Sequence, residues 1–232
     1  MKVEIWSDVV CPWCYVGKRR FEQALSSFEH QPDVEVHWRS FELDPSAPAV
    51  RRGDPVQRLA DKFGMSRADA QAAEENMTRV AATVGLDFHL DTVQSGNSFD
   101  AHRLLHLAAE RGVQDAVKER FMRAYFTESE PVGDHAALRR LAVEVGLDGA
   151  EVDAVLASDR YADGVRADEE QAAAYGISGV PFFVIDGRYG VSGAQSAAVL
   201  LSTLRTAYAD AHPLTMVATN GADACEGDAC AV

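Results

Sequence analysis

The segment SDVVCPWCYVGKRRFEQAL, residues 7–25, places Cys11 and Cys14 two residues apart with Pro12 and Trp13 between them. The chain has four cysteines, so this spacing asks for a chemical reading. Two thiols one helical turn apart suit thiol–disulfide exchange. Cys11 would attack a disulfide, and Cys14 would resolve the mixed disulfide on Cys11. Placed between a strand and a helix, Cys11 meets free backbone amides and the positive end of the helix dipole. Both favour an anion, so the sequence predicts an exposed Cys11 with a lowered thiol pKa. Pro12 fits the first helical position, which needs no amide hydrogen.

The competing chemistry is zinc binding, in which Cys225 and Cys230 would complete a tetrahedral site. Those two have four residues between them, in a Gly- and Asp-rich stretch without a strand-like knuckle. The spacing therefore favours redox work, and neither a metal nor another cofactor is expected.

Elements must position these thiols. Residues 2–6, KVEIW, alternate as a strand. Phe21, Leu25 and Phe28 give a helix from about Pro12 to His30, and residues 34–43 read as a second strand with Val34, Val36, Trp38 and Ser40 on one face. Residues 1–43 thus predict a parallel βαβ unit. From 44 to 175 the pattern is helical, with caps at Asp54, Ser66, Asn97 or Ser98, and Asp148, and stops at Gly64, Gly85 and Gly112. Strand character returns at residues 179–194, GVPFFVIDGRYGVSGA, where Asp186-Gly187 predicts a two-residue hairpin turn and Arg188–Val191 the return strand. A helix over 195–211 closes a 176–211 ββα unit, and 212–232 reads as a tail.

Composition bounds the partners. Of 232 residues 22 are basic and 36 acidic, a net charge of -14 that disfavours nucleic acid and anionic membranes. The start, MKVEIWSD, enters a strand without an apolar leader, so the expected compartment is the cytoplasm. There thiols are kept reduced, and a cysteine pair is more readily catalytic than structural.

Together, SDVVCPWCYVGKRRFE, NSFDAHRLLHLA and YGISGVPFFVIDGRYGVSGAQ resemble, in order, the FrnE-like branch of the DsbA family. The resemblance spans residues 1 to about 208. It implies an α/β thioredoxin-like fold, βαβ…ββα, with a large all-helical insertion. It further implies Cys11 as the attacking and Cys14 as the resolving thiol, with Pro181 a cis-proline beside them. Val180 would offer its backbone to an extended substrate, and Pro12 and Trp13 would border it. The implied activity is exchange with protein or low-molecular-weight disulfides and thiols. Relatives that are glutathione-dependent isomerases of 2-hydroxychromene-2-carboxylate, or kappa-type transferases, carry serine in place of Cys11 and lack Cys14. Some FrnE-like proteins are linked to polyketide pathways. One departure is Trp13, where strongly oxidising DsbA proteins have histidine, which implies a less stabilised thiolate.

Other residues read more plainly. His102 and His106 share a helix face and are taken as a surface or core pair. Asn97 and Ser98 form a helix cap, although the equivalent stretch nears substrate in the isomerases. Lys18, Arg19 and Arg20 are expected on a solvated face. Trp6, Trp13 and Tyr15 fit either an apolar apron around the cysteines or plain packing. Cys225 and Cys230 are either inert or a second redox pair, whose thiol pKa values Asp223, Glu226 and Asp228 would raise.

Overall fold

A computed structural model of the chain describes residues 1–213 apart from Arg52. The predicted βαβ unit is present as β1 (Lys2–Ser7), α1 (Pro12–Ser26) and β2 (Glu35–Ser40). β1 and β2 pair in parallel, from Lys2 opposite Glu35 to Ser7 opposite Ser40. The unit ends earlier than the sequence suggests at both elements. The hydroxyls of Ser26 and Ser27 bond back to the Gln23 carbonyl as α1 ends, and a 3-10 turn, Gln31–Asp33, leads into β2. Past Ser40, side chains take the amides that a longer strand would use. Glu42 N donates to Glu169 and Leu43 N to Asp8 Oδ2.

Seven helices follow: α2 (Pro55–Phe63), α3 (Arg67–Ala82), α4 (Phe99–Glu110), α5 (Gln114–Phe126), α6 (His135–Glu144), α7 (Gly149–Leu156) and α8 (Ala162–Ala174). The caps explain the boundaries. Asp54 accepts from the amides of Val56 and Gln57, Ser66 from Asp69, and Asp148 from Ala150 and Glu151. α2 ends on Gly64 at φ 64, a left-handed position that costs glycine little. At α4 the side chain that caps belongs to Asn97, whose Oδ1 accepts from Phe99 N, and Ser98 is left free for another role.

The chain then returns as β3 (Phe182–Ile185), β4 (Tyr189–Ser192) and α9 (Ala197–Ala211). Asp186 and Gly187 both take positive φ, 49 and 65, as the two-residue turn requires. The ladder nevertheless pairs Ile185 with Tyr189, which shifts the return strand one residue later than the sequence suggested. The sheet order is β2-β1-β3-β4, with β3 antiparallel to both neighbours.

Strand alternation sorts the core into layers. Val3, Ile5, Phe183 and Ile185 pack with Phe21, Ala24, Leu200 and Leu204 of α1 and α9. On the opposite face Trp6 and Val184 pack with Ala172 and Ile177, and Trp6 Nε1 donates to the Asp168 carbonyl in α8 at 2.8 Å. The third layer fixes the site. Cys11, Cys14, Tyr15 and Val16 share one apolar cluster with Leu104, Leu107, Val117, Phe121 and Met122, so the first turn of α1 is packed into the helical segment.

Candidate active site

Cys11 is the N-cap of α1, in extended conformation (φ -94, ψ 114), with Pro12 at the first helical position. Its amide donates to the Asp8 carbonyl at 3.3 Å, and its own carbonyl accepts from Cys14 and Tyr15. Its Sγ lies 3.7 Å from the Val180 carbonyl oxygen, and the Val180–Pro181 peptide is cis. Gly17 lets the two segments meet: a Cβ there would come within 2.8 Å of Pro181 Cγ. Trp13 is 43 % exposed at the rim. Cys11, Pro12, Cys14, Val180 and Pro181 therefore converge, with Trp13 facing outward.

The expected state of Cys11 needs correction. Its side chain is buried, 4 % exposed, and Cys14 is fully buried. The Cys11 thiol is pushed well up, first by its hydrogen bond with Cys14, then by burial, and further by the charge of Asp8. The helix terminus favours an anion, but the hydrogen bond and charge of Cys14, burial and, least, the charge of Asp8 outweigh it.

Sequence reasoning missed the charged groups behind the pair. Asp8 is wholly buried, accepts from Leu43 N at 2.8 Å and lies 3.4 Å from His102 Nε2. Burial pushes its carboxyl up, but His102, the Leu43 amide and the Ser98 hydroxyl together hold it below the usual range. Ser98 thus holds the N-cap position of α4 without a side-chain cap bond, and its hydroxyl serves Asp8 instead. His102 is buried with it, while His106 reaches Ser40 Oγ at 3.1 Å and Asp168 Oδ2 at 3.2 Å. The two histidines serve different carboxylates, as a core pair does. Lys118 of α5, also fully buried, donates to the Ser7 carbonyl at 3.1 Å. Asp8 was legible only as a carboxylate three residues before Cys11. For Lys118 the sequence carries no signal.

One further expectation falls, and the open choice for the aromatics resolves to packing for Trp6 and Tyr15. Lys18 is not solvated: it is 2 % exposed, ion-paired with Glu22, Asp115 and Glu119. An apolar helix face held a charge because α5 brought carboxylates to it. Nor do the aromatics form one apron. Trp6 lies in the α8 layer, and Tyr15 is buried with its hydroxyl on Glu119 at 2.5 Å. Cys225 and Cys230 lie outside the described residues. α9 runs alongside α1, from Ala194 beside Gly17 to Tyr208 against Phe28. Its end, near Pro213, is therefore at the pole of α1 remote from Cys11, about 22 Å along a helix of this length.

This sheet, flanked by α1 and α9 on one face and α8 on the other, with the cysteine pair opening α1, is a thioredoxin-like architecture. A model of the DSBA-like thioredoxin domain matches residues 2–205, and the chain belongs to that family, whose members are disulfide oxidoreductases and isomerases. The crystal structure of a probable DsbA oxidoreductase from Streptomyces coelicolor is 50 % identical, with a TM-score of 0.88 over 100 % of this chain and 99 % of that one. The uncharacterized protein YwbO of Bacillus subtilis (strain 168) is 33 % identical over 186 residues, 79 % of this chain and 86 % of YwbO. The cytosolic disulfide reductase DsbM from Pseudomonas aeruginosa, solved with GSH, shares the fold at 16 % identity and a TM-score of 0.62 over 89 % of this chain and 98 % of that one.

Proposed function

We propose that the protein is a thiol–disulfide oxidoreductase of the FrnE-like branch, acting through Cys11 and Cys14 in the cytoplasm on protein or low-molecular-weight disulfides. The observation that carries this reading is the position of the Cys11 sulfur. It sits at the α1 N-terminus, 3.7 Å from the Val180 carbonyl and one helical turn from the second thiol. A substrate segment laid beside Val180 would pair with its backbone and bring a disulfide to Cys11. Glutathione, held by the fold relative DsbM, is a natural small-molecule partner. The two thiols at 11 and 14 speak against a glutathione-dependent isomerase, which needs no resolving cysteine. We further propose that 1–43 and 176–211 form the thioredoxin-like part and that 44–175 is the insertion, with α8 seated on the sheet.

The test is reduction of insulin by dithiothreitol, followed by turbidity. The wild-type protein should accelerate it, and Cys11→Ser should return the rate to background. Full activity in the serine variant would sink the reading.

A further inference from the structure

Lys118 is a buried charge with no counter-ion among the described residues. Its side chain is fully buried, yet among the described residues its Nζ makes one hydrogen bond, to the Ser7 carbonyl, and no ion pair. An ammonium has three donors, and leaving a charge in a dry interior without a counter-ion is costly. Such a group persists where something else needs it. The groups that face it identify the need. Its Nζ meets the Ser7 carbonyl, next to Asp8, and its α5 neighbours Val117, Phe121 and Met122 share one buried cluster with Cys11 and Cys14, whose charges act on it together with those of Asp8 and Lys18. β2 contributes the Trp38 ring, whose centroid is 5.5 Å from Nζ. The carboxylates on its own helix, Asp115 and Glu119, are engaged by Lys18 and Arg19. Asp8 in turn is engaged by His102, Ser98 and the Leu43 amide. Burial draws the ammonium down to about 8, and Cys14 is the strongest of the neighbours acting to keep it charged, ahead of Asp8 and Cys11.

We infer that Lys118 is a positioning residue for the cysteine pair, a buried ammonium whose missing counter-ion is the thiolate formed on Cys14 when it resolves a mixed disulfide. This rests on the oxidoreductase reading above. In that cycle the Cys11 thiolate attacks one sulfur of a substrate disulfide. The S–S bond breaks, the other half leaves as a thiolate, and a Cys11–substrate disulfide forms. Cys14 gives up its proton, which ends on the released thiolate. The Cys14 sulfur then attacks Cys11, the Cys11–Cys14 bond forms, and the substrate sulfur departs with the bonding electron pair. The substrate disulfide has gained two electrons and the cysteine pair has lost two. The reaction places a thiolate on Cys14, which is fully buried, beside Cys11, on which the charge of Asp8 acts. Among the described residues, Lys118 is the positive charge there that is not already bound to an acid.

The reduced protein is titrated by thiolate absorbance near 240 nm in a Cys11→Ser background, so that the signal belongs to Cys14, alone and combined with Lys118→Met or Asp8→Asn. The measurement needs no substrate, so it stands even if the oxidoreductase reading fails. In Lys118→Met the thiolate midpoint should rise by at least one pH unit, a tenfold loss. In Asp8→Asn, which removes the opposing charge, it should fall. Equilibration with oxidised and reduced glutathione, at a pH above both thiolate midpoints where the lost stabilisation is felt in full, should then move tenfold toward the protein disulfide in Lys118→Met, about 30 mV for a two-electron couple. A folded Lys118→Met with an unshifted midpoint overturns the inference. If that variant does not fold, Asp8→Asn decides: a midpoint unchanged or raised overturns it equally. Wild-type protein that fails to exchange with glutathione disulfide defeats the oxidoreductase reading, and the titration still judges Lys118.

Discussion

Two buried lysines flank the same indole. Lys18 and Lys118 lie 5.9 and 5.5 Å from the Trp38 ring centroid, in α1 and α5. Lys18 faces three carboxylates, Glu22, Asp115 and Glu119, and Trp38 Nε1 adds a hydrogen bond to Asp115 at 2.9 Å. Burial alone would lower its pKa, but these carboxylates raise it above the ordinary lysine range. Lys118 has no ion pair among the described residues, and burial draws it down to about 8. Lys118 lies the deeper of the two, and Lys18 has the carboxylates that Lys118 lacks among the described residues, so depth and counter-ion together separate a structural lysine from one poised beside a reactive centre.

The largest test of this contrast is stability. A lysine whose folded pKa is lowered from its ordinary 10.5 to about 8 opposes folding while it is charged in both states. The native state sheds its proton first, so stability should rise as the pH climbs from 8 to 10.5. Lys118→Met removes this cost, and urea unfolding at pH 7 should show a gain of about 1–3 kcal/mol that fades by pH 10.5. A loss at pH 7 would place Lys118 with the structural lysines. Lys18→Met should do the reverse, destabilising by about 2 kcal/mol, because it strands carboxylates that partly rehydrate. Should both substitutions shift stability in one direction, the contrast collapses.

Spectroscopy sharpens the same comparison at lower amplitude. Trp38 emission in the wild type should change through a midpoint near pH 8 as the ammonium beside it loses its charge, and Lys118→Met should lack that step. The smallest effect concerns coupling. Lys18 repels Lys118, so Lys18→Met should move the fluorescence midpoint upward by a few tenths of a pH unit, consistent with a screened interaction between like charges.

Much of this protein follows from local sequence alone. Cys11-Pro12-Trp13-Cys14 announces itself at a strand–helix junction. Asp54, Ser66 and Asp148 cap their helices as short-range rules require, because a cap needs only an oxygen within three residues of an open amide. The hairpin at Asp186-Gly187 was legible for the same reason, since positive φ is a local demand. What local pattern could not carry is everything that depends on distant partners. Lys18 looked solvated because its acids, Asp115 and Glu119, lie about a hundred residues away in α5. His102 joins Asp8, and Lys118 reaches Ser7, across comparable separations. The Cys11 thiol reversed its expected direction because the fold holds it against Cys14, packing by α4 and α5 excludes water, and the charge of Asp8 adds to both. Spacing along the chain sets which thiols meet, whereas their ionisation is a sum over charges and solvent that only the assembled fold puts in place.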